Sequence, residues 1–268
     1  MEGRGRLRWV LAAAGGVLVA AVVVLVVLYV RSGAREVTVD EVTAPTGSTL
    51  PTTPAVLRPE QGVYAYEGSG ADRLDKPPKE QTQGPQIPGT VTHREDGCWT
   101  LRMDYSSNHW QTWVYCPRPD GGLDEKGGET YQRWDFGAFA FDSLSTFTCS
   151  DAVTIRGDQE PGDTWEQTCS GTSSSTDGEA VSSGPYTFVG AETLAVGGEE
   201  VPALRYRRER TMSGAQRGTE RSEVWFAAET GMPLRNERSI TASTDTVIGE
   251  VTYTEQAEFR LTSLTPRA

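Results

Sequence analysis

The stretch that decides the fold is CWTLRMDYSSNHWQTWVYC, residues 98–116. Trp99, Leu101, Met103 and Tyr105 share one parity; Cys98, Thr100, Arg102 and Asp104 share the other. Gln111, Trp113 and Tyr115 alternate in the same way with Trp110, Thr112, Val114 and Cys116. Period-two alternation marks half-buried strand, and Ser106, Ser107 and Asn108 supply turn chemistry between the runs. Setting Cys98 opposite Cys116 puts Trp99 against Tyr115 and Leu101 against Trp113, so the large apolar residues share one face. A one-residue slip would mix the faces. The cysteines then meet on the other face, close enough for a cross-strand disulfide. There Trp110 lies diagonal to Arg102, a geometry for cation–π contact. Trp110 and Arg102 are the candidate ligand-binding pair.

Downstream the same alternation recurs. Phe139, Phe141, Phe147 and Cys149 share parity, as do Trp165, Gln167 and Cys169, so a second disulfide would lie nearer the core. The expected pairs are Cys98–Cys116 and Cys149–Cys169, each closing a short antiparallel excursion. Leu204, Tyr206 and Arg208 alternate with Arg205, Arg207 and Glu209. In the last strand Val251, Tyr253, Ala257, Phe259 and Leu261 face one way. No period of 3.6 appears beyond the amino-terminal apolar run. The expectation is an all-β domain built on one antiparallel, strongly curved sheet, half-barrel or barrel-like, with a sandwich as the alternative.

Upstream, residues 10–30 are an uncharged apolar run bounded by Trp9. As helix they measure roughly 31 Å, enough to cross a bilayer core. A cleaved signal peptide is the rival, but its apolar region is shorter. The expected organisation is a cytoplasmic tail over 1–8, a transmembrane helix over 9–30 and a Thr/Pro-rich stalk over 31–61. A β-domain follows over 62–268, with loops at 71–90 and 170–184. Arg4, Arg6 and Arg8 precede the helix, which favours the amino terminus inside. Paired cysteines favour an oxidising compartment for the rest. Both arguments give a single-pass cell-membrane protein with its C-terminal domain extracytoplasmic.

The chain carries a formal net charge of −12. That balance repels nucleic acid and excludes it as a partner class. The cysteine spacing and the presence of only two histidines argue against zinc, and the acidic turn 117–129 lacks calcium-loop spacing. No cofactor is expected. No nucleophile elbow, metalloprotease helix or phosphate loop occurs. His93 and His109 are read as surface residues, His109 at an exposed hairpin tip. Enzyme activity stays open only as an envelope hydrolase with paired carboxylates.

The segment VWFAAETGMPLR, residues 224–235, resembles a hairpin of bacterial extracytoplasmic half-barrels, the LolA-like carriers and the LppX/LprG-type lipoproteins. The Cys-Trp-Thr hairpin looks like that of uncharacterised actinobacterial anchored envelope proteins. The half-barrel resemblance implies an apolar concavity for acyl chains. This chain departs from it in lacking helical lid segments and a lipidated cysteine. The leading reading is an anchored binding or interaction domain for an envelope protein or glycan, and the alternative is a lipid carrier lined by Trp99, Trp113, Phe139 and Phe259.

Overall fold

Alternation on this scale forces a sheet with one face hidden, and a long antiparallel sheet can hide that face by closing on itself. The computed structural model shows this outcome. It describes residues 21–45 and 56–267. Fourteen strands follow in sequence: β1 (Gly62–Asp75), β2 (Pro78–Gln83), β3 (Gln86–His93), β4 (Trp99–Ser106), β5 (His109–Pro117), β6 (Leu123–Asp135) and β7 (Ala140–Ser150). Then come β8 (Val153–Ile155), β9 (Thr164–Ser173), β10 (Thr176–Val196), β11 (Glu199–Gly214), β12 (Arg217–Ala227), β13 (Pro233–Thr246) and β14 (Gly249–Leu261). Twelve of them form a closed antiparallel barrel in the order β1-β3-β4-β5-β6-β7-β9-β10-β11-β12-β13-β14. β14 returns to β1 to seal the ring, while β2 flanks β1 and β8 flanks β6.

The central hairpin has the expected register. Trp99 faces Tyr115 and Leu101 faces Trp113, and Trp99, Leu101, Met103 and Tyr105 are fully buried. Cys98 is bonded to Cys116 and Cys149 to Cys169. The second pair is buried on the inner side, as parity indicated.

Three expectations are corrected. The sheet is closed rather than half-open, because β1 runs on past Gly68-Ser69-Gly70 and pairs with β14 from Tyr66↔Leu261 to Leu74↔Tyr253. Those glycines are not a terminator. A Cβ on Gly68 would lie 2.2 Å from the Glu258 carbonyl oxygen, so the glycine is where two backbones approach too closely for a side chain. Residues 71–90 are therefore not a loop but the end of β1, then β2 and β3. Residues 170–184 are likewise the β9–β10 hairpin, whose Ser173 and Ser175 bond each other and Ser143 of β7 instead of packing apolar surface.

The third correction concerns the stalk over 31–61. Residues 34–45 are not a free spacer. Arg35 exchanges backbone bonds with the β4–β5 turn, accepting from Ser107 N–H at 2.7 Å and donating to Ser107 Oγ at 2.9 Å. Arg267 pairs with Asp40 at 3.2 Å and donates to the carbonyls of Val39 and Val42. Leu57, ahead of β1, is buried in the core, and its carbonyl accepts from Trp99 Nε1 at 3.1 Å. Extended backbone with unpaired donors and acceptors docks readily on a sheet margin, whatever its Thr/Pro content.

The chain divides into two compact units, Met1–Gly33 with Arg133–Phe141, and Ala34–Gln132 with Asp142–Ala268. In the first, residues 21–31 are helical. The tail over 1–8 and most of the span expected over 9–30 lie outside the described residues. Among the described residues, no helix is long and apolar enough to cross a membrane.

Candidate functional site

A closed barrel offers two surfaces, its lumen and its outer wall. The lumen is filled at one level by aromatic side chains. Tyr66, Tyr105, Trp99, Tyr115, Phe226, Tyr206 and Tyr186 are all buried in a single cluster with Phe259 and Leu261. Beside this packed zone the inward positions turn polar, and here the structure departs most from the sequence reading.

His109 is 1% exposed, not a surface residue. Its Nδ1 lies 2.9 Å from Asp72 Oδ2. Asp72 stands opposite Glu255 in the β1–β14 register, and Gln83 Nε2 donates to Asp72 Oδ1 at 2.8 Å and to Glu255 Oε1 at 3.0 Å. Arg238 Nε donates to Glu255 Oε1 at 2.7 Å while its Nη1 reaches Gln111 Oε1 at 2.8 Å. Tyr253 Oη completes the network, 2.8 Å from Glu255 Oε2. Burial pushes the Asp72 carboxyl up, but the His109 imidazole, Arg238 and the Gln83 amide outweigh it and hold the group below its usual range.

A second network crosses the lumen alongside the buried disulfide. Arg208 Nη2 on β11 lies 2.6 Å from Glu125 Oε2 on β6. Arg210 Nη2 donates to Gln167 Oε1 at 2.9 Å. Burial raises the Glu125 carboxyl, yet Arg208 and Arg210 together bring it below its ordinary value. The register aligns Arg208, Ser222 and Arg238 on three neighbouring strands. From that wall the two guanidiniums reach Glu125 and Gln111 on the wall facing them. Buried charges persist only when paired and hydrogen-bonded, and these pairings brace one side of the barrel against the other.

Asp72, His109 and Glu255 have the residue types of a metal site, with ligand atoms within 4.8 Å of one another. The network does not fit one. Both carboxylates are already saturated by His109, Gln83, Tyr253 and Arg238, and the Gln83 amide occupies the point where a cation would sit. Glu125 also sits beside Cys149 and Cys169, but both sulfurs are in a disulfide and offer no thiolate. His93 Nε2 lies 2.8 Å from the Pro59 carbonyl oxygen.

On the outer wall, the candidate pair stands together. The Arg102 guanidinium lies 4.2 Å from the Trp110 ring centroid. Asp104, directly opposite Trp110 in the hairpin, fixes it through bonds of 3.0 and 2.8 Å. Behind the indole stacks Tyr131, with centroids 5.6 Å apart and planes 15° from parallel. A separate groove of about 790 Å³ runs over the outer faces of β1 and β11–β14. Arg207, Arg221, Glu209, Glu223, Glu237 and Glu258 line it, so it is polar and of mixed sign.

Sequence reasoning missed the luminal residues, although each carried a signal. His109 continues the inward parity of Tyr115, Trp113 and Gln111. Glu255 sits between Tyr253 and Ala257, and Arg208 follows Tyr206, both in inward runs. A charged residue at an inward position is itself the mark of a buried pair.

No family model matches the sequence, and no curated protein does. Among solved structures, the chain is similar to a hypothetical lipoprotein, YmcC, from Escherichia coli (K12). Identity is 13%, the match covers 75% of this chain and 86% of that one, and the TM-score is 0.34. With a likeness that loose, the functional reading rests on this chain's own residues.

Proposed function

We propose that this chain is a membrane-anchored, extracytoplasmic barrel of the bacterial cell envelope that binds a protein or glycan partner through its outer wall. The observation that carries the reading is the lumen. Aromatic packing and cross-lumen ion pairs occupy it, where an acyl carrier needs apolar free volume. Two disulfides support an oxidising compartment, and the apolar run over 10–30 supports the anchor. The lining expected for a carrier is dispersed. Trp99 and Phe259 are packed in the core, whereas Phe139 is 57% exposed.

The binding face is the Arg102–Trp110–Tyr131 stack. A cation and two rings already stacked in a row, with the Arg102 side chain 41% exposed, present a preorganised polar–aromatic surface at little cost in side-chain entropy. A photo-cross-linking side chain placed at Thr112, next to Trp110, in the full-length protein in cells tests this. A discrete protein or glycan adduct is expected, lost in Trp110→Ala while the melting temperature moves little. Native mass spectrometry that finds an acyl lipid released only on unfolding would overturn the reading in favour of the carrier.

A further inference from the structure

Between Asp135 and Asp142 the chain reads FGAFAF, residues 136–141, six uncharged residues at the tip of the β6–β7 hairpin. Hairpin tips in water favour polar turn formers. Here the side chains form an aromatic stack instead. Phe136 and Phe139 lie 4.9 Å apart at 18°, and Phe136 and Phe141 6.1 Å apart at 20°. Phe136 is buried, yet Phe139 is 57% and Phe141 38% exposed. Phe136 N–H closes the tip by donating to the Phe139 carbonyl at 2.8 Å.

The tip belongs to the same compact unit as the helical residues 21–31. Gly137, at φ +83°, lies against the helix backbone, and a Cβ there would stand 2.6 Å from the Leu28 carbonyl carbon. Only glycine permits that approach. The helix beside it is apolar on every side. Val22 to Val30 are all exposed at 42% or more, a pattern that water does not tolerate and lipid does. Tyr29 stands at the end of the run, the usual depth of an aromatic belt.

We infer that the β6–β7 tip is a membrane-contacting element. In this inference Phe139 and Phe141 enter the headgroup–acyl boundary beside the anchor helix, and Asp135 and Asp142 limit the depth. The inference rests on the anchored reading. What favours lipid over a protein partner is continuity. The exposed phenylalanines extend an apolar surface begun by Leu28 and Tyr29, and the tip carries no charge or hydrogen-bonding side chain that a protein partner would read.

The experiment uses the full-length protein in vesicles of phosphatidylethanolamine and phosphatidylglycerol, with p-benzoylphenylalanine placed singly at three positions. Val27 reports the anchor alone. Glu199, exposed at the β10–β11 turn and so at the opposite strand ends from the tip, reports solvent. Position 139 reports the tip. Lipid adducts at 27 and at 139 in comparable yield, and none at 199, are the expected result. Adducts at 27 without any at 139 would overturn the inference and leave the anchor standing. Adducts at neither would overturn the anchored reading itself. A protein–protein adduct at 139 would assign the tip to a second copy of the chain and overturn the lipid assignment.

Discussion

Asp72 and His109 meet inside the barrel from strands that are not neighbours: the imidazole Nδ1 is 2.9 Å from the carboxylate, and each side chain is 1% exposed. β3 and β4 separate their strands around the ring. The pair therefore ties the sealing strand β1 to the central hairpin. Removing one member leaves the other buried without its partner, which costs about 3–5 kcal/mol. His109→Ala should lower the urea midpoint of the full-length protein accordingly. The double replacement Asp72→Leu with His109→Phe should recover much of the loss. A double-variant loss equal to the sum of the two single losses would show that the two residues are not coupled.

The carboxylates at Asp72 and Glu125 set the acid limb of stability. Both are held below their ordinary values in the folded state. Their contribution is complete above the unfolded carboxylate range, near pH 4, and is lost as pH falls through the depressed folded values. Denaturant midpoints should be flat from neutral down to about pH 5 and should fall below about pH 4. In Asp72→Asn with Glu125→Gln the midpoint is lower at neutral pH, and the acid limb is shallower.

The two disulfides differ in setting. Cys98–Cys116 is on the outer side of the hairpin, and Cys149–Cys169 is buried against Glu125, with Cys149 Sγ 3.7 Å from Glu125 Oε1. Each should contribute roughly 3 kcal/mol through the unfolded chain. Replacing the inner pair by alanine adds a cavity term, so Cys149→Ala with Cys169→Ala should cost more than Cys98→Ala with Cys116→Ala. Non-reducing peptide maps identify the two linkages, and thermal unfolding ranks them.

Gly68 tests the seam. Its missing Cβ would stand 2.2 Å from Glu258 O and 2.9 Å from Phe259 Cα on β14. Gly68→Ala must push the two strands apart, a loss of about 1–3 kcal/mol. Hydrogen exchange should rise in β1 and β14 and stay unchanged in β4 and β5. Uniform exchange across the barrel would mean that the seam opens only with the whole fold.

What was legible in the sequence was whatever alternated between large apolar and polar residues. Trp99, Leu101, Trp113 and Tyr115 fixed a register that the structure keeps. Illegible were segments whose two faces are both polar. PKEQTQ, residues 78–83, is strand because it pairs with β1 and Gln83 points into a polar network, bonded to Asp72 and Glu255. Closure was hidden by glycines that look like a turn in one dimension and are a close approach in three. His109 was misplaced because a hairpin tip is usually wet, whereas this tip has a β-bulge between Asp104 and Ser106. The candidate pair Arg102 and Trp110 was readable because both positions lie within one short hairpin, where spacing in sequence is nearly spacing in space. The luminal networks join residues as far as 83 and 172 positions apart, and no local pattern encodes which charge meets which.

The seam between β1 and β14 also carries a timing consequence. Tyr66 pairs with Leu261, so a nascent chain displays β1 long before its partner arrives. Until then the sheet has two bare edges, each able to recruit a stranger's strand. Closure is thus the last assembly step, and a chain cut short of β14 would be sticky where the finished protein is not.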